Sequence, residues 1–124
     1  MLTSITTAQQ ALAYIHSFDD PYLAAIRDQG SQDWGLSKIR SLLVELGDPH
    51  LAYPTVHIAG TKGKGSTATM LAKMLEANGY NVGLYTSPHV VHLHERIMVN
   101  SKMISEPQMR DLLNRIHTPV ERMS

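Results

Sequence analysis

Residues 60–67, which read G-T-K-G-K-G-S-T, combine the residue types that bind phosphate groups. Glycines allow backbone N–H groups to turn inward and approach phosphate oxygens. A helix predicted to begin at Ser66 would direct its N-terminal dipole and its free amides at the same place. Lys64 adds a positive charge that can reach β- and γ-phosphates, and the hydroxyls of Ser66 and Thr67 suit phosphate or Mg²⁺. The segment is therefore predicted to bind the phosphates of a nucleotide.

The loop differs from the common phosphate-loop motif at two points. That motif has a glycine five residues before Gly63, where this chain has Ile58, and a Ser or Thr directly after the lysine, where this chain has Gly65. The surroundings support the prediction, because the loop follows an apolar, β-branched segment and precedes an amphipathic one, as the motif requires. The alternative is a glycine-rich turn whose Lys64 is only solvated.

The elements around the loop are predicted to form a strand–helix–strand unit. Residues 55–59 (TVHIA) indicate a short buried strand. Residues 66–78 indicate a helix that ends at Gly79, with its apolar face formed by Met70, Leu71, Met74 and Leu75. Residues 81–86 indicate a second strand, parallel to the first. The predicted fold class is α/β, with a parallel sheet that carries the phosphate loop and is flanked by helices.

The rest of the chain is predicted to be mainly helical. Residues 7–17 are predicted to form an amphipathic helix with Leu12 and Ile15 on one side. Residues 18–35, which are broken by one proline and two glycines, are predicted to form a loop, or a loop with one helical turn. Residues 36–46 are predicted to form a helix capped by Gly47.

A hairpin and a final helix are predicted after the second strand. Asn100-Ser101 is predicted to connect two short strands, 96–99 and 102–104. A last helix is predicted to start at Ser105, with a capping box from Gln108, and to stop at Thr118-Pro119. Its apolar face is predicted to be formed by Met109, Leu112, Leu113 and Ile116.

Composition narrows the class of protein. The 124 residues suit one domain, 43% are hydrophobic, and eleven basic residues balance eleven acidic ones. A nucleic-acid binder or a membrane-surface protein usually carries a basic excess, so neither partner is expected. There is no cysteine, which excludes disulfides, thiolate zinc sites and cysteine nucleophiles from this chain. With no secretory signal and no apolar run of membrane-spanning length, a soluble cytoplasmic protein is expected.

Two longer runs carry a resemblance to a known family. HIAGTKGKGSTATML is followed by GYNVGLYTSPHVVHLHERI, and DWGLSKIRSLLVELGDP precedes both. This order resembles the folylpolyglutamate synthases, often also dihydrofolate synthases, of the Mur ligase superfamily, from about residue 8 to 117. The resemblance implies the N-terminal part of a Mur-ligase-like ATPase domain, with a helical lead-in (1–54), a strand–phosphate loop–helix–strand unit (55–86), and an omega-like loop, hairpin and helix (87–124).

The resemblance also implies a reaction. ATP phosphorylates a carboxylate of folate, or of dihydropteroate, and the amino group of L-glutamate attacks the acyl phosphate to form an amide. Charge on the transferred phosphoryl group must be neutralised, which implies Mg²⁺ beside the loop.

Roles follow residue by residue from the same resemblance. Lys64 is implied to be catalytic, within an ATP-binding set of Gly60, Thr61, Lys62, Gly63, Lys64, Gly65, Ser66 and Thr67. Ser87 matches a serine similar to a Mg²⁺ ligand, and it follows a predicted strand at the sheet edge where such folds bind ligands. Folate-contacting residues are implied to be Asp33, Trp34, Gly35, His89 and Arg96.

The chain departs from the family pattern in several ways. Lys62 stands where Asn is usual, Trp34 where an aliphatic residue is common, and His92 and His94 where Arg or an aromatic residue is more frequent. Family members are roughly three times longer and have a C-terminal domain, which would follow Ser124. We therefore expect this chain to be part of a ligase, without catalysis of its own.

Several alternatives remain open at this point. His89, His92 and His94 could hold zinc, shape the folate loop or simply be solvated. Arg96 could bind a substrate carboxylate or pair with a neighbouring acid. The alternative functions are another Mur-type amino-acid ligase and a nucleotide-binding remnant without chemistry. A nucleic-acid motor is disfavoured by the neutral charge.

Overall fold

Thr7 begins the first helix, α1 (Ala8–His16), because its hydroxyl accepts a hydrogen bond from the Gln10 amide at 3.2 Å and the Gln10 side chain accepts one from the Thr7 amide at 3.1 Å. The predicted helix is confirmed, but the predicted position of Leu12 is wrong. The buried positions are Ala11 and Tyr14, because the Tyr14 ring packs at 5.0 Å from the His117 ring, whereas Leu12 is 38% exposed.

The computed structural model describes residues 4–18 and 36–123. Most of the predicted loop 18–35, with Asp33, Trp34 and Gly35, lies outside the described residues. The chain divides into two compact units, one formed by residues 1–55 and 110–124 and the other by residues 56–109.

Helix α2 (Leu36–Glu45) is capped by Gly47, as predicted. Gly47 has a φ of 79°, a left-handed conformation that favours glycine, and the amides of Gly47 and Asp48 donate to the carbonyls of Val44 (3.0 Å) and Leu43 (2.7 Å). A short 3₁₀ helix, Pro49–Leu51, follows.

Helix α3 (Lys64–Ala77) belongs to the second unit, with three short strands, β1 (Gly83–Tyr85), β2 (Ile97–Val99) and β3 (Lys102–Met103). The strands are antiparallel in the order β1-β2-β3, and Leu84 faces Met98 in the register. Helix α3 packs against β1. The hairpin predicted at Asn100-Ser101 is confirmed, since both turn residues adopt positive φ between β2 and β3.

The predicted apolar face of α3 is confirmed for the two leucines and wrong for the two methionines. Ala72 is buried and Leu71 and Leu75 are half-buried, but Met70 and Met74 are 60% and 64% exposed. Residues 68, 71, 72 and 75 share one helical face, and the two methionines lie to one side of it.

The predicted parallel sheet is not found among the described residues. Residues 55–59 form no strand, and all but the half-buried Ile58 are exposed. A strand needs a neighbour for its backbone hydrogen bonds, and β1 bonds to β2 through a local antiparallel pairing. The helix and the second strand of the predicted unit are confirmed, whereas the buried first strand is not.

Helix α4 (Glu106–Met123) begins as predicted, because the Ser105 amide donates to Gln108 Oε1 at 2.9 Å and the Gln108 amide donates to Ser105 Oγ at 3.4 Å. Met109 and Leu113 are buried, while Leu112 is 41% exposed. The predicted stop at Thr118-Pro119 is wrong, since the helix continues through Pro119.

Helix α4 continues through Pro119 although a proline opposes it. A proline inside a helix keeps a helical φ, but it removes one helical hydrogen bond and its ring crowds the carbonyl of the residue four positions earlier. Pro119 is also buried, and after it Arg122 donates to Glu45 at 2.7 Å, which holds the last turn.

The first unit also contains a link that the sequence pattern does not indicate. Asn114 of α4 accepts a hydrogen bond from the Ile5 amide at 2.7 Å and donates to the Ile5 carbonyl at 2.9 Å. This amide side chain reproduces the two-bond pattern of a strand neighbour, and it fixes Ile5, which is 2% exposed, in the core. Within the described part of the chain, no helix is long and apolar enough to cross a membrane.

Candidate functional site

The phosphate loop ends at Gly63, which is the N-cap of α3 and adopts φ 74° and ψ 1°. This conformation is left-handed, so a side chain there would be strained even though no atom lies within 4 Å of its position. The helix begins at Lys64, two residues before the predicted start, and its first backbone bond runs from the Thr67 amide to the Gly63 carbonyl at 2.9 Å. The amides of Lys64, Gly65 and Ser66 precede that bond and are the donors that a helix N-terminus offers to an anion.

Lys64 is folded back on its own loop. Its Nζ atom donates to the Gly60 carbonyl at 2.7 Å and lies 3.4 Å from the Thr61 carbonyl. All residues of the loop from Gly60 to Thr67 are exposed. The lysine is therefore oriented by neutral carbonyls that a charged phosphate could replace.

The charge around the loop is one-sided. No Asp or Glu occurs between Asp48 and Glu76, a stretch that includes Lys62, Lys64 and Lys73. Lys73 forms an ion pair with Glu76 at 3.6 Å. Lys62 and Lys64, together with the positive end of the α3 dipole, make the loop electropositive.

The hairpin turn is bonded to the phosphate-loop helix. Ser101 Oγ donates to Glu76 at 2.5 Å and accepts a hydrogen bond from Lys73. Asn100 is bonded to the segment before β1, because its amide donates to the Val82 carbonyl at 2.9 Å and its Oδ1 accepts from the Val82 amide at 2.8 Å. These contacts fix α3 relative to the sheet.

The segment 87–96, which we call the substrate loop, closes on itself. Ser87 is exposed at its start, next to a cis peptide bond to Pro88. The Thr86 amide donates to the Arg96 carbonyl at 3.0 Å, so the two ends of the loop are held together. Inside it, Arg96 Nε donates to His89 Nδ1 at 2.9 Å.

The contact with His89 disfavours one of the two roles predicted for Arg96, the pairing with a neighbouring acid. Among the described residues, the side-chain hydrogen bond of Arg96 is to His89 and not to an acid. The guanidinium group therefore keeps its charge uncompensated there. A bidentate bond from its terminal nitrogens to a substrate carboxylate fits this arrangement.

Glu95 is the residue of this loop that sequence reasoning missed. Its carboxylate accepts the amides of Val90 at 2.8 Å, Val91 at 3.0 Å and His92 at 2.8 Å. These backbone hydrogen bonds, from Val90 first and then from His92, lower the pKa of Glu95 below its ordinary value. One signal for it is present in the sequence, since Glu95 is the only acid in the run from Ser87 to Arg96.

Zinc finds no support in the geometry. In the described ranges, no group of three or more His, Cys, Asp or Glu side chains is placed to hold a metal ion. His89 Nδ1 is already used as an acceptor for Arg96. Of the predicted site residues, those of the phosphate loop, Ser87, His89 and Arg96 all belong to the unit of residues 56–109.

The fold that carries these two loops is that of a segment of the Mur-ligase-like synthases. More specifically, its relatives are folylpolyglutamate synthases and dihydrofolate synthases, which confirms the resemblance drawn from the motifs. No protein-family model matches the chain.

Two relatives and one solved structure illustrate this similarity. The folylpolyglutamate synthase of Lacticaseibacillus casei is 38% identical over 114 residues, which cover 92% of this chain and 24% of that protein. The dihydrofolate synthase/folylpolyglutamate synthase of Bacillus subtilis is 40% identical over 87 residues, 70% of this chain and 20% of that protein. A solved complex of a folylpolyglutamate synthase with AMPPCP and folate superposes with a TM-score of 0.81 at 33% identity, over 95% of this chain and 27% of that one.

The chain thus spans no more than a quarter of the length of these curated relatives.

Proposed function

We propose that this chain supplies the phosphate-binding part of an ATP-dependent ligase that adds L-glutamate to folate. The observation that carries the proposal is the glycine-rich loop at the N-terminus of α3, with Lys64 at its first helical position. It occurs in a chain whose fold superposes on a synthase that holds AMPPCP, an analogue of ATP, together with folate.

The proposed reaction has two steps. A carboxylate oxygen of the folate attacks the γ-phosphorus of ATP, the bond from that phosphorus to the β-bridging oxygen breaks, and ADP leaves. The amine of L-glutamate then attacks the acyl phosphate, an amide forms with loss of a proton, and inorganic phosphate leaves. Both steps gather negative charge on phosphoryl oxygens, so stabilisation of that charge is what the protein must contribute.

The phosphate loop is suited to that task. The amides of Lys64, Gly65 and Ser66 would bind the β- and γ-phosphates of ATP from the helix terminus. Lys64 would exchange its 2.7 Å bond to the Gly60 carbonyl for a phosphate oxygen, and so follow the charge as it moves to the leaving ADP. Lys62 adds a second cation to the same loop.

Mg²⁺ is also part of the proposal, with Ser87 and Thr67 as the residues that would contact it. Mg²⁺ prefers oxygen ligands and takes several of them from nucleotide phosphates and water. The exposed hydroxyls of Ser87 and Thr67 fit that need, whereas a site built only from protein carboxylates does not occur among the described residues. Such an ion would supply positive charge that neutralises the phosphate oxygens.

His89 and Arg96 are proposed to bind the folate or dihydropteroate substrate. The N–H donors of Arg96 suit a carboxylate, and a carboxylate is the group that the reaction phosphorylates. Asp33, Trp34 and Gly35 remain proposed contacts to the pterin end. We also propose that residues 55–59 join a parallel sheet whose other strands belong to the larger ligase.

A two-stage calorimetric titration tests the proposal. The chain is titrated with MgATP and then, saturated, with folate. Heat of binding in both stages is the expected result. If the chain binds MgATP and a cell-wall precursor but not folate, it would instead be assigned to another Mur-type amino-acid ligase.

Absence of MgATP binding by a folded chain would overturn the proposal for the phosphate loop. Binding of MgATP by a chain that binds neither folate nor a cell-wall precursor would indicate a nucleotide-binding remnant.

A further inference from the structure

Three consecutive backbone amides in the substrate loop point at one side chain. The amides of Val90, Val91 and His92 all donate to the carboxylate of Glu95, at 2.8, 3.0 and 2.8 Å. Consecutive amides that converge in this way form a cavity for an anion. In this loop, the anion is supplied by the chain itself.

Packing does not explain the shape of this loop. The side chains of Val90 and Val91 are 90% and 68% exposed, so their burial contributes little to holding residues 89–92 in place. The bonds to Glu95, which is itself half-buried, are the contacts that fix the backbone there. Hydrogen bonds to a charged group are stronger than those between neutral groups.

The backbone held by Glu95 adjoins a pair of side chains with defined chemistry. His89 precedes the first bonded amide, and its Nδ1 accepts a hydrogen bond from Arg96 Nε at 2.9 Å. The neutral ring then carries its proton on Nε2, which is a donor. Arg96 keeps its terminal nitrogens, which have no hydrogen-bond partner among the described residues. The pair therefore presents N–H donors only.

We propose that Glu95 is the positioning residue of the substrate loop, and that by binding the amides of Val90, Val91 and His92 it holds the His89–Arg96 pair in the form that receives a carboxylate. The identity of that carboxylate as folate rests on the proposed function. The role of Glu95 itself rests on the hydrogen bonds within the loop.

Nuclear magnetic resonance of the ¹⁵N-labelled chain tests this role without any ligand. Glu95→Gln removes the negative charge at nearly constant shape, and Asp111→Asn, an equivalent change at an exposed position of α4, is the matched control. In Glu95→Gln, hydrogen exchange at the three amides is expected to accelerate about tenfold or more, as for loss of bonds to a charged acceptor. The His89 ring nitrogens are expected to change from one tautomer to a mixture, while the amides of α3 keep their shifts.

A second variant separates the two parts of the arrangement. Arg96→Lys removes the planar donor, so the His89 tautomer is expected to change while the three amides stay protected. If Glu95→Gln does not fold, Glu95→Asp provides the same readouts, since it keeps the charge and withdraws it by one methylene group.

The result that overturns the proposal is an unchanged His89 tautomer with unchanged exchange at the three amides in Glu95→Gln. Titration with folate, followed by the signals of His89 and Arg96, tests the ligand separately. If these signals do not move in the wild-type chain while the Glu95 effects are present, the folate assignment fails and the role of Glu95 stands. If both occur, a folate affinity at least about tenfold lower is expected for Glu95→Gln than for Asp111→Asn.

Discussion

The Nζ atom of Lys64 lies 2.7 Å from the carbonyl oxygen of Gly60, so the cation of the phosphate loop is held by the loop's own backbone. Gly60 lies four residues before Lys64, in the loop that leads into α3, where the amides of the first helical turn also lie. Phosphate binding at this loop would therefore be an exchange of partners by Lys64. The Lys64 side chain is already held beside the loop before a phosphate binds.

Lys64→Ala is expected to weaken MgATP binding by about 10- to 100-fold, since it removes a charged hydrogen bond to phosphate. Lys62→Ala is the matched control, because it removes an equal charge from the same loop without the bond to Gly60. We expect a smaller loss for it. Calorimetry with both variants measures the difference, and equal losses would show that only net charge matters.

The substrate loop is expected to open in acid. The pKa of Glu95 is lowered by the backbone N–H groups of Val90, His92 and Val91, so its ionised form is favoured by folding. A carboxyl whose pKa is lowered in the folded state stabilises it above the unfolded pKa of about 4.3 and loses that contribution as pH falls through the folded pKa. The amide signals of residues 90–92 should therefore move together below about pH 4, measured by two-dimensional NMR.

Histidine offers the competing explanation for such a transition. The side chains of His89 and His92 lie in the same loop. Amide signals that moved only at a pH well above the range of a carboxyl group would contradict the role of Glu95.

Two substitutions at Asn100 are expected to separate the contribution of its side-chain hydrogen bonds from the strain of its backbone conformation. This residue has a φ of 48°, and its side chain bonds to Val82 at 2.8 Å. Asn100→Gly keeps the backbone conformation and loses the side-chain bonds, which is expected to cost about 1 kcal/mol of unfolding free energy. Asn100→Ala also strains the backbone, which is expected to add about 1 kcal/mol. Urea unfolding followed by circular dichroism measures both, and equal costs would remove the backbone argument.

Tyr14→Phe is expected to leave the free energy of unfolding unchanged or to raise it by up to about 1 kcal/mol. The Tyr14 hydroxyl is buried and has no hydrogen-bond partner in the described part of the chain, and burial raises its pKa. The ring packs edge-on against Phe18 at 5.1 Å, and phenylalanine preserves that contact. Thermal unfolding of the wild-type chain and of Tyr14→Phe measures the difference in stability. A large loss of stability in the variant would contradict this prediction and would reveal a partner for the hydroxyl.

Local patterns in the sequence predicted the elements whose ends are fixed by neighbouring residues. The cap at Gly47, the turn at Asn100-Ser101 and the capping box of Ser105 with Gln108 depend on contacts a few residues apart, and all three were confirmed. The helix that follows the glycine-rich segment was predicted in the same way. It starts at Lys64 and not at Ser66, because Gly63 in a left-handed conformation can serve as the cap.

The features that were missed depend on distant partners. The strand predicted at 55–59 is not formed among the described residues, because a hydrophobic pattern does not by itself provide the neighbour that a strand requires. The helix continues past Pro119, and Arg122 in its last turn reaches Glu45, 77 residues away in the chain. The link between Ile5 and Asn114 spans 109 positions. Glu95 is a different case. Its partners are close in the chain, but they are backbone amides, and the residue types in a sequence do not indicate which amides a carboxylate will bond.

The uneven distribution of acids has a consequence for how an anion reaches the protein. The chain as a whole is neutral, so it offers a distant polyanion no net attraction. The stretch without acids around Lys62 and Lys64 acts only within a Debye length, about 8 Å at physiological ionic strength. A nucleotide would thus be attracted only when it is already close to the loop. The ionic-strength dependence of its binding would be set by the few charges of that loop. Long nucleic acids would gain no further attraction from the rest of the protein surface.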